Sequence, residues 1–175
     1  MTKVLDDRPK SGKRHHGYRL RIEPARGTVR AIFDGRVVAE SDAVLVMHET
    51  RYPPVYYFPR AAVDWDLLEP ASQHTHCPFK GNASYWSLNG PTKSAANAAW
   101  SYESPFDEAT PVKDYVAFYW NAIDEWSVDG KTLGSQPRSD TTAGTRPRAR
   151  STLRWVRLLN MSRPARACSA TVSVA

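Results

Sequence analysis

The sequence predicts an all-β body, mainly antiparallel, of sandwich or barrel-like type with minor helical turns, and three observations carry that prediction. Short runs rich in β-branched and aromatic residues recur along residues 28–130. Gly, Pro and Asn punctuate them roughly every eight to twelve residues, the spacing of an all-β domain. Asp34-Gly35 joins two apolar runs, and this dipeptide favours a type I′ hairpin turn.

Taken in order, Val29 to Phe33 and Arg36 to Glu40 are the arms of that hairpin. Ala43 to His48 is β-branched and apolar, a buried strand. Val55 to Phe58 is a short strand bracketed by Pro53-Pro54 and Pro59. Ala61 to Leu68 fits one helical turn or another short strand, and the residues do not decide between them. Ala83 to Leu88 and Ala98 to Tyr102 read as strands separated by the turn Asn89-Gly90-Pro91. Ser104 to Asp114, with two prolines and acidic residues, reads as a loop or a single helical turn. Tyr115 to Trp120 is strongly β-prone, and Trp126 to Val128 is a last short strand closed by Asp129-Gly130.

Charge divides the chain at the same places. Residues 1–30 carry nine Lys/Arg against three acids, residues 31–130 six against fourteen, and residues 131–175 nine against one. The net charge of +6 therefore belongs to the ends, and the body is acidic. Residues 1–27 read as a flexible basic arm, 28–130 as the β domain, and 131–175 as a basic, disordered tail of Ser/Thr/Pro/Gly/Arg-rich composition. Within that tail, residues 151–160 fit a short basic helix, too short to be stable alone in water. An acidic body repels a phosphate backbone, so nucleic acid is not the expected partner of the domain, and only the basic ends offer a weak, salt-sensitive contact.

A length of 175 residues suits one domain with a real core, and six Trp and eight Tyr are too many for a disordered chain. No apolar run approaches the ~20 residues that cross a bilayer as a helix, and the first residues carry no apolar signal stretch. Cys77 and Cys168 fall in segments of unlike character, so reduced thiols and a cytoplasmic address are expected.

The stretch from Glu49 to Trp86 is the candidate site. It gathers an acid, tyrosines, an arginine, histidines, a cysteine, a lysine and tryptophans around five prolines. Polar and aromatic residues placed by rigid turns build a pocket more readily than a core alone. Cys77 precedes Pro78, which favours extended geometry, and Lys80 follows three residues later. Its thiol reads either as a buried structural group or as a nucleophile whose thiolate Lys80 and His76 stabilise. His76 is poorly placed as its base, because neighbours on a strand point to opposite faces. His74, His76 and Cys77 begin a metal set but lack the Cys-x-x-Cys pairs that zinc needs, so no metal and no other cofactor is expected. Lys80-Gly81 lacks the rest of a phosphate loop. Lys80 is then a solvated lysine or a point charge for an anionic ligand. Glu49 at a strand end suits acid–base work, or pairs with Arg51 or Arg60. Tyr56 and Tyr57 face opposite ways, one to the core and one to a pocket. Trp86, Trp100 and Tyr102 read first as core aromatics and second as a stacking wall.

Glu49-Thr50, Pro54-Val55-Tyr56-Tyr57 with Pro59-Arg60, Thr75-x-Cys77-Pro78-x-Lys80-Gly81-x-Ala83-x-Tyr85-Trp86, Ala98-Ala99-Trp100-Ser101-Tyr102 and Tyr115 to Tyr119 together resemble the signature of the domain-of-unknown-function 427 family. The resemblance covers about Thr28 to Gly130. It implies a small domain of β-tent architecture, the fold type of Mss4-like and Yippee-like zinc domains, without their paired cysteine ligands. It implies a pocket near Glu49, Tyr57, Cys77, Lys80, Trp100 and Tyr102. Some classifications label the family nucleotidyltransferase-like, yet no Gly-Ser loop or paired-Asp motif is visible here. After Gly130 the chain departs from the family's usual closing strand, and an exposed sheet edge is expected.

Three functions of different class follow. The first is binding of a small, anionic or planar ligand, with Tyr57, Arg60, His76, Trp86, Trp100 and Tyr102 as the contact residues. The second is an enzyme of nucleotidyltransferase-like or thiol-dependent type using Glu49, Cys77 or Lys80. The third is an interaction module whose basic tails dock on an acidic partner. A homodimer is compatible with each.

Overall fold

The structure, a computed structural model, describes residues 17–138. Eleven strands lie within them. They are β1 (Leu20–Pro24), β2 (Val29–Phe33), β3 (Arg36–Ser41), β4 (Leu45–Glu49), β5 (Val55–Pro59), β6 (Leu68–Cys77), β7 (Gly81–Asn89), β8 (Ser94–Ser101), β9 (Tyr115–Phe118), β10 (Glu125–Val128) and β11 (Lys131–Thr132). Four short 3-10 turns connect them, at Arg60–Ala62, Trp65–Leu67, Asp107–Val112 and Trp120–Ala122.

Every ladder among the described residues is antiparallel, and the strands form a small all-β domain of two sheets, neither closed on itself. The larger runs β1-β4-β5-β9-β8-β7-β6 and the smaller β11-β10-β2-β3. The hairpin turn at Asp34-Gly35 is present: φ is 50° at Asp34 and 74° at Gly35, the two positive values a type I′ turn requires.

Strand parity splits the large sheet into two faces. Phe58, Trp86, Leu88, Val116 and Phe118 point toward the small sheet and pack with its Val29, Phe33, Val38 and Trp126. Their neighbours Tyr57, Tyr85 and Ala117 point the other way, into a second cluster with Met47, Ala83, Tyr102 and the Asp107–Val112 turn residues Ala109 and Val112. The first cluster is almost entirely hydrocarbon. The second is rich in tyrosine, and the candidate site lies beside it.

Several sequence expectations change here. The basic arm assigned to residues 1–27 includes strand β1, which pairs in register with β4 from Leu20↔Glu49 to Pro24↔Leu45. Residues 1–16 lie outside the described part. The tail assigned to 131–175 begins with β11, a two-residue strand that pairs with β10 and covers the edge expected to be bare. The short helix expected over 151–160 lies outside the described residues. Ala61 to Leu68 holds both alternatives in succession: the end of one 3-10 turn, a second one capped by the Asp64 carboxylate, then the start of β6. Ser104 to Asp114 contains the 3-10 turn Asp107–Val112. No helix among the described residues is long and apolar enough to cross a membrane.

Candidate functional site

Two hairpin ends build the site. Strand β4 ends at Glu49, where the chain turns through Thr50 and Arg51, and the Tyr52 amide donates to the Glu49 carbonyl at 3.1 Å. Arg51 sits at φ 71°, a left-handed conformation that costs a non-glycine residue about 1 kcal/mol or more. The Cys77–Lys80 turn joins β6 to β7. Its Lys80 amide donates to the Cys77 carbonyl at 3.3 Å, and Pro78 supplies the fixed φ that such a turn favours. Gly81 follows at φ 102°, and a Cβ there would stand 3.1 Å from the Ser104 carbonyl oxygen. The Lys80 carbonyl is itself held by the Phe106 amide at 3.0 Å. Both turns are thus fixed by backbone bonds, and their side chains converge.

Lys80 Nζ donates to Glu49 Oε2 at 2.5 Å, with side-chain exposures of 10% and 14%. The other carboxylate oxygen, Oε1, accepts from the Tyr18 hydroxyl at 2.7 Å. The Tyr18 ring stacks on Phe79 with centroids 3.7 Å apart, tying the segment before β1 to the β6–β7 turn. Lys80 Nζ also faces the Tyr102 ring at 5.8 Å from its centroid. Charge pairing and hydrogen bonding justify this burial, since either ion alone would be costly there.

A groove of about 490 Å³ runs from this pair along the tyrosine-rich face. Glu49, Tyr57, His76, Cys77, Lys80, Trp100 and Tyr102 all border it, as do Tyr85, Tyr119 and Trp120. A second cavity of about 510 Å³ lies against Tyr18, Arg51 and Phe79, and shares Glu49, Tyr52, Cys77 and Pro78 with the first. Trp100 Nε1 donates to the Tyr57 hydroxyl at 3.3 Å, and the Trp100 ring meets Tyr119 at 4.5 Å. The Tyr102 hydroxyl has no hydrogen-bond partner among the described residues, although the residue is only 6% exposed.

Burial is the leading cause that raises the phenols of Tyr18, Tyr57 and Tyr102 well above the ordinary tyrosine range. The Glu49 charge adds to the effect on all three. Tyr119 is pushed up to about 12 by burial and by its hydrogen bond to Tyr85. These phenols are neutral hydrogen-bonding groups near pH 7. The fixed charges at this end of the groove are the paired Lys80 and Glu49.

Seven of the nine residues named from sequence come together on one groove. His76 stands at its rim, exposed, with Nδ1 2.7 Å from Asn82 Oδ1. Cys77 is half-buried with a free thiol. Arg60 and Trp86 lie elsewhere. The Arg60 guanidinium stacks 4.3 Å over Trp65 and 5.4 Å over Trp86, and Trp86 belongs to the core between the sheets. Glu49 pairs with Lys80 rather than with Arg51 or Arg60. Reasoning from sequence placed one of Tyr56 and Tyr57 at a pocket, whereas both border the groove, and it missed Tyr18, Tyr85, Trp120, Trp126 and Gln136. Gln136, in the segment assigned to the tail, donates from its side-chain amide to the Pro54 carbonyl at 3.1 Å.

Strands β2 to β10, all of β1 after Leu20, and the Glu49–Lys80 pair fall within one sequence pattern. Residues 21–129 match the family described as Domain of unknown function (DUF427), whose model bears a nucleotidyltransferase-type name. The chain belongs to that family. Comparison with curated proteins finds no match.

Proposed function

We propose that the domain binds a small planar ligand with a hydrogen-bond-accepting edge in the groove between Lys80 and Trp120. The observation that carries this reading is a set of unspent donors among aromatic walls. An ammonium has three N–H groups, and among the described residues Lys80 has one hydrogen-bond partner, Glu49. The hydroxyl of Tyr102, on the same groove, has none. A carbonyl or carboxylate edge satisfies these donors, while Tyr57, Trp100 and Tyr119 offer ring faces and edges to the rest of the molecule.

Because Glu49 already neutralises Lys80, the site favours a neutral or singly charged ligand over a polyphosphate. Among the described residues Glu49 is the one carboxylate lining the groove and is already bonded to Lys80 and Tyr18, so the donor set does not fit the paired-acid metal site of nucleotidyl transfer. An enzyme working through the Cys77 thiol is the second reading, supported by the position of Cys77 on both cavities.

A thermal-shift screen of metabolites and nucleotides tests the first reading, since a ligand at 100 times its Kd stabilises the native state by about 2.7 kcal/mol. Planar compounds with an acceptor edge should raise Tm, and Tyr102→Phe should shrink the shift. The proposal is overturned if such compounds at millimolar concentration leave Tm unchanged, or if their effect ignores both Tyr102→Phe and Lys80→Met. Thiol labelling across pH tests the second: a Cys77 that reacts with an apparent pKa near 8.5 or above is no activated nucleophile.

A further inference from the structure

We propose that Lys80 is a nucleophilic amine that condenses with the carbonyl group of a small aldehyde or ketone to give a Schiff base, with Glu49 as its proton carrier. This rests on the reading of the groove as a ligand site and names the ligand's reacting group. Lysine forms such adducts when its amine is desolvated and has a route for its proton. Lys80 meets both conditions. It is 8% exposed, it borders a groove able to hold a small molecule, and its hydrogen-bond partner is a carboxylate in direct contact.

The carboxylate is divided between two tasks. The Tyr18 hydroxyl occupies Oε1 and fixes the group's orientation, which leaves Oε2 to exchange protons with Nζ. A buried pair of purely structural purpose needs no opening to a cavity. This one stands on the wall of a groove that also holds Tyr102, a buried residue whose hydroxyl has no hydrogen-bond partner among the described residues, a donor suited to a carbonyl oxygen. The other lysines described lack this setting. Lys93 is 44% exposed and paired with Asp124, and Lys113 and Lys131 are exposed.

The steps balance without a further reactant. Glu49 takes a proton from the Lys80 ammonium, freeing the nitrogen lone pair. That pair forms the C–N bond as the C=O π electrons move to oxygen, and Glu49 returns its proton to that oxygen. The nitrogen, now carrying two hydrogens and a positive charge, gives one proton to Glu49. Glu49 then protonates the carbinol hydroxyl, which leaves as water while the nitrogen lone pair closes the C=N bond. One ammonium and one carbonyl compound become one protonated imine and one water, and the imine's positive charge stays paired with Glu49.

Reductive trapping tests this on the full chain. Pyridoxal, a planar aldehyde, and glyceraldehyde, a small aliphatic one, are each added with sodium cyanoborohydride, and adducts are located by peptide mass mapping. Lys80 should be labelled at least about tenfold faster than Lys93 or Lys113. Glu49→Gln should lower labelling at Lys80 by about tenfold or more and leave the other two unchanged. Tyr18→Phe, which keeps the Oε2 contact, should lower it by a smaller factor and serves if Glu49→Gln misfolds by circular dichroism. The proposal is overturned if Lys80 is labelled no faster than the exposed lysines, or if its rate ignores both Glu49→Gln and Tyr18→Phe. A Tm rise with either aldehyde but no Lys80 adduct overturns the imine and leaves ligand binding standing. No adduct, together with no stabilisation by any compound of the screen, overturns both.

Discussion

The two faces of the large sheet use adjacent residues of the same strands for opposite purposes. On β5, Phe58 enters the core between the sheets while Tyr57 enters the cluster beside the groove. On β7, Trp86 and Tyr85 divide in the same way. The inter-sheet face closes over hydrocarbon, and where it reaches the groove, at Tyr56, Phe118, Trp120 and Trp126, it offers mainly ring surface. The tyrosine face buries comparable rings but retains hydroxyls, a lysine and a glutamate, and it stays open along one side. Packing on the first face supports the geometry on which the second depends.

The largest expected effect attacks the dry face. Phe58 is fully buried, meeting Phe118 edge-on at 5.9 Å and Trp126 at 6.1 Å. Phe58→Ala should cost about 3–5 kcal/mol, measured by urea unfolding, because the cavity cannot fill from either sheet. A loss below about 1 kcal/mol would show that this core is loosely packed and does not support the site.

Next comes the ion pair. Lys80→Met leaves Glu49 in its buried position with only the Tyr18 hydroxyl as a partner. The cost should fall toward the lower end of the roughly 3–5 kcal/mol of a broken buried pair, since both side chains keep some exposure. Lys80→Met combined with Glu49→Gln should recover much of that loss while ligand binding stays absent. If the double variant is as unstable as the single one, the pair is a structural clamp.

Alkaline pH separates the faces without mutation. Tyr18, Tyr57 and Tyr102 have folded-state values raised above the ordinary 10.0, chiefly by burial. Above pH 10 the unfolded chain therefore releases protons that the folded chain keeps, and stability must fall as pH rises. Below pH 10 the contribution is fully present. Each such tyrosine removes about 1.4 kcal/mol per pH unit in that window. Tyrosinate absorbance should rise together with the loss of folded circular dichroism, and Tyr57→Phe should flatten the alkaline limb. A slope unchanged by that substitution would mean that Tyr57 ionises in place.

How much of this was legible follows from physical range. The β2–β3 hairpin could be read because Asp34-Gly35 acts locally through backbone dihedrals. The strands β4, β5, β7 and β9 could be read because each carries a local run of apolar, β-branched or aromatic residues. Strand β6 could not: LEPASQHTHC is polar, carries Pro70 and a register shift between Ala71 and His74, and forms a sheet edge with little apolar alternation. Strand β1 alternates only Leu20 and Ile22 among charged neighbours, too short a pattern to separate from an arm. At the site, the residue types pointed to a pocket, but the pairing of Glu49 with Lys80 spans 31 residues and depends on two turns converging. Which of Tyr85 and Trp86 faces the groove depends on strand register, and no local signal in that dipeptide reports it.

The smallest expected effect is the most specific to the comparison. Tyr102 is buried, yet its hydroxyl bonds to no described residue, so removing that oxygen breaks no protein hydrogen bond. On the dry face a similar deletion, Phe58→Leu for example, removes packed atoms and must destabilise. On the groove face Tyr102→Phe should leave unfolding free energy within about 1 kcal/mol of the parent, because no protein hydrogen bond is lost with that oxygen. Affinity for a planar ligand found in the screen should nevertheless weaken by about threefold to tenfold, the worth of one hydrogen bond. The two numbers must part in this way for the hydroxyl to belong to the ligand. Equal losses in stability and binding would mean that Tyr102 is simply core, and that the difference between the two faces is one of composition and not of purpose.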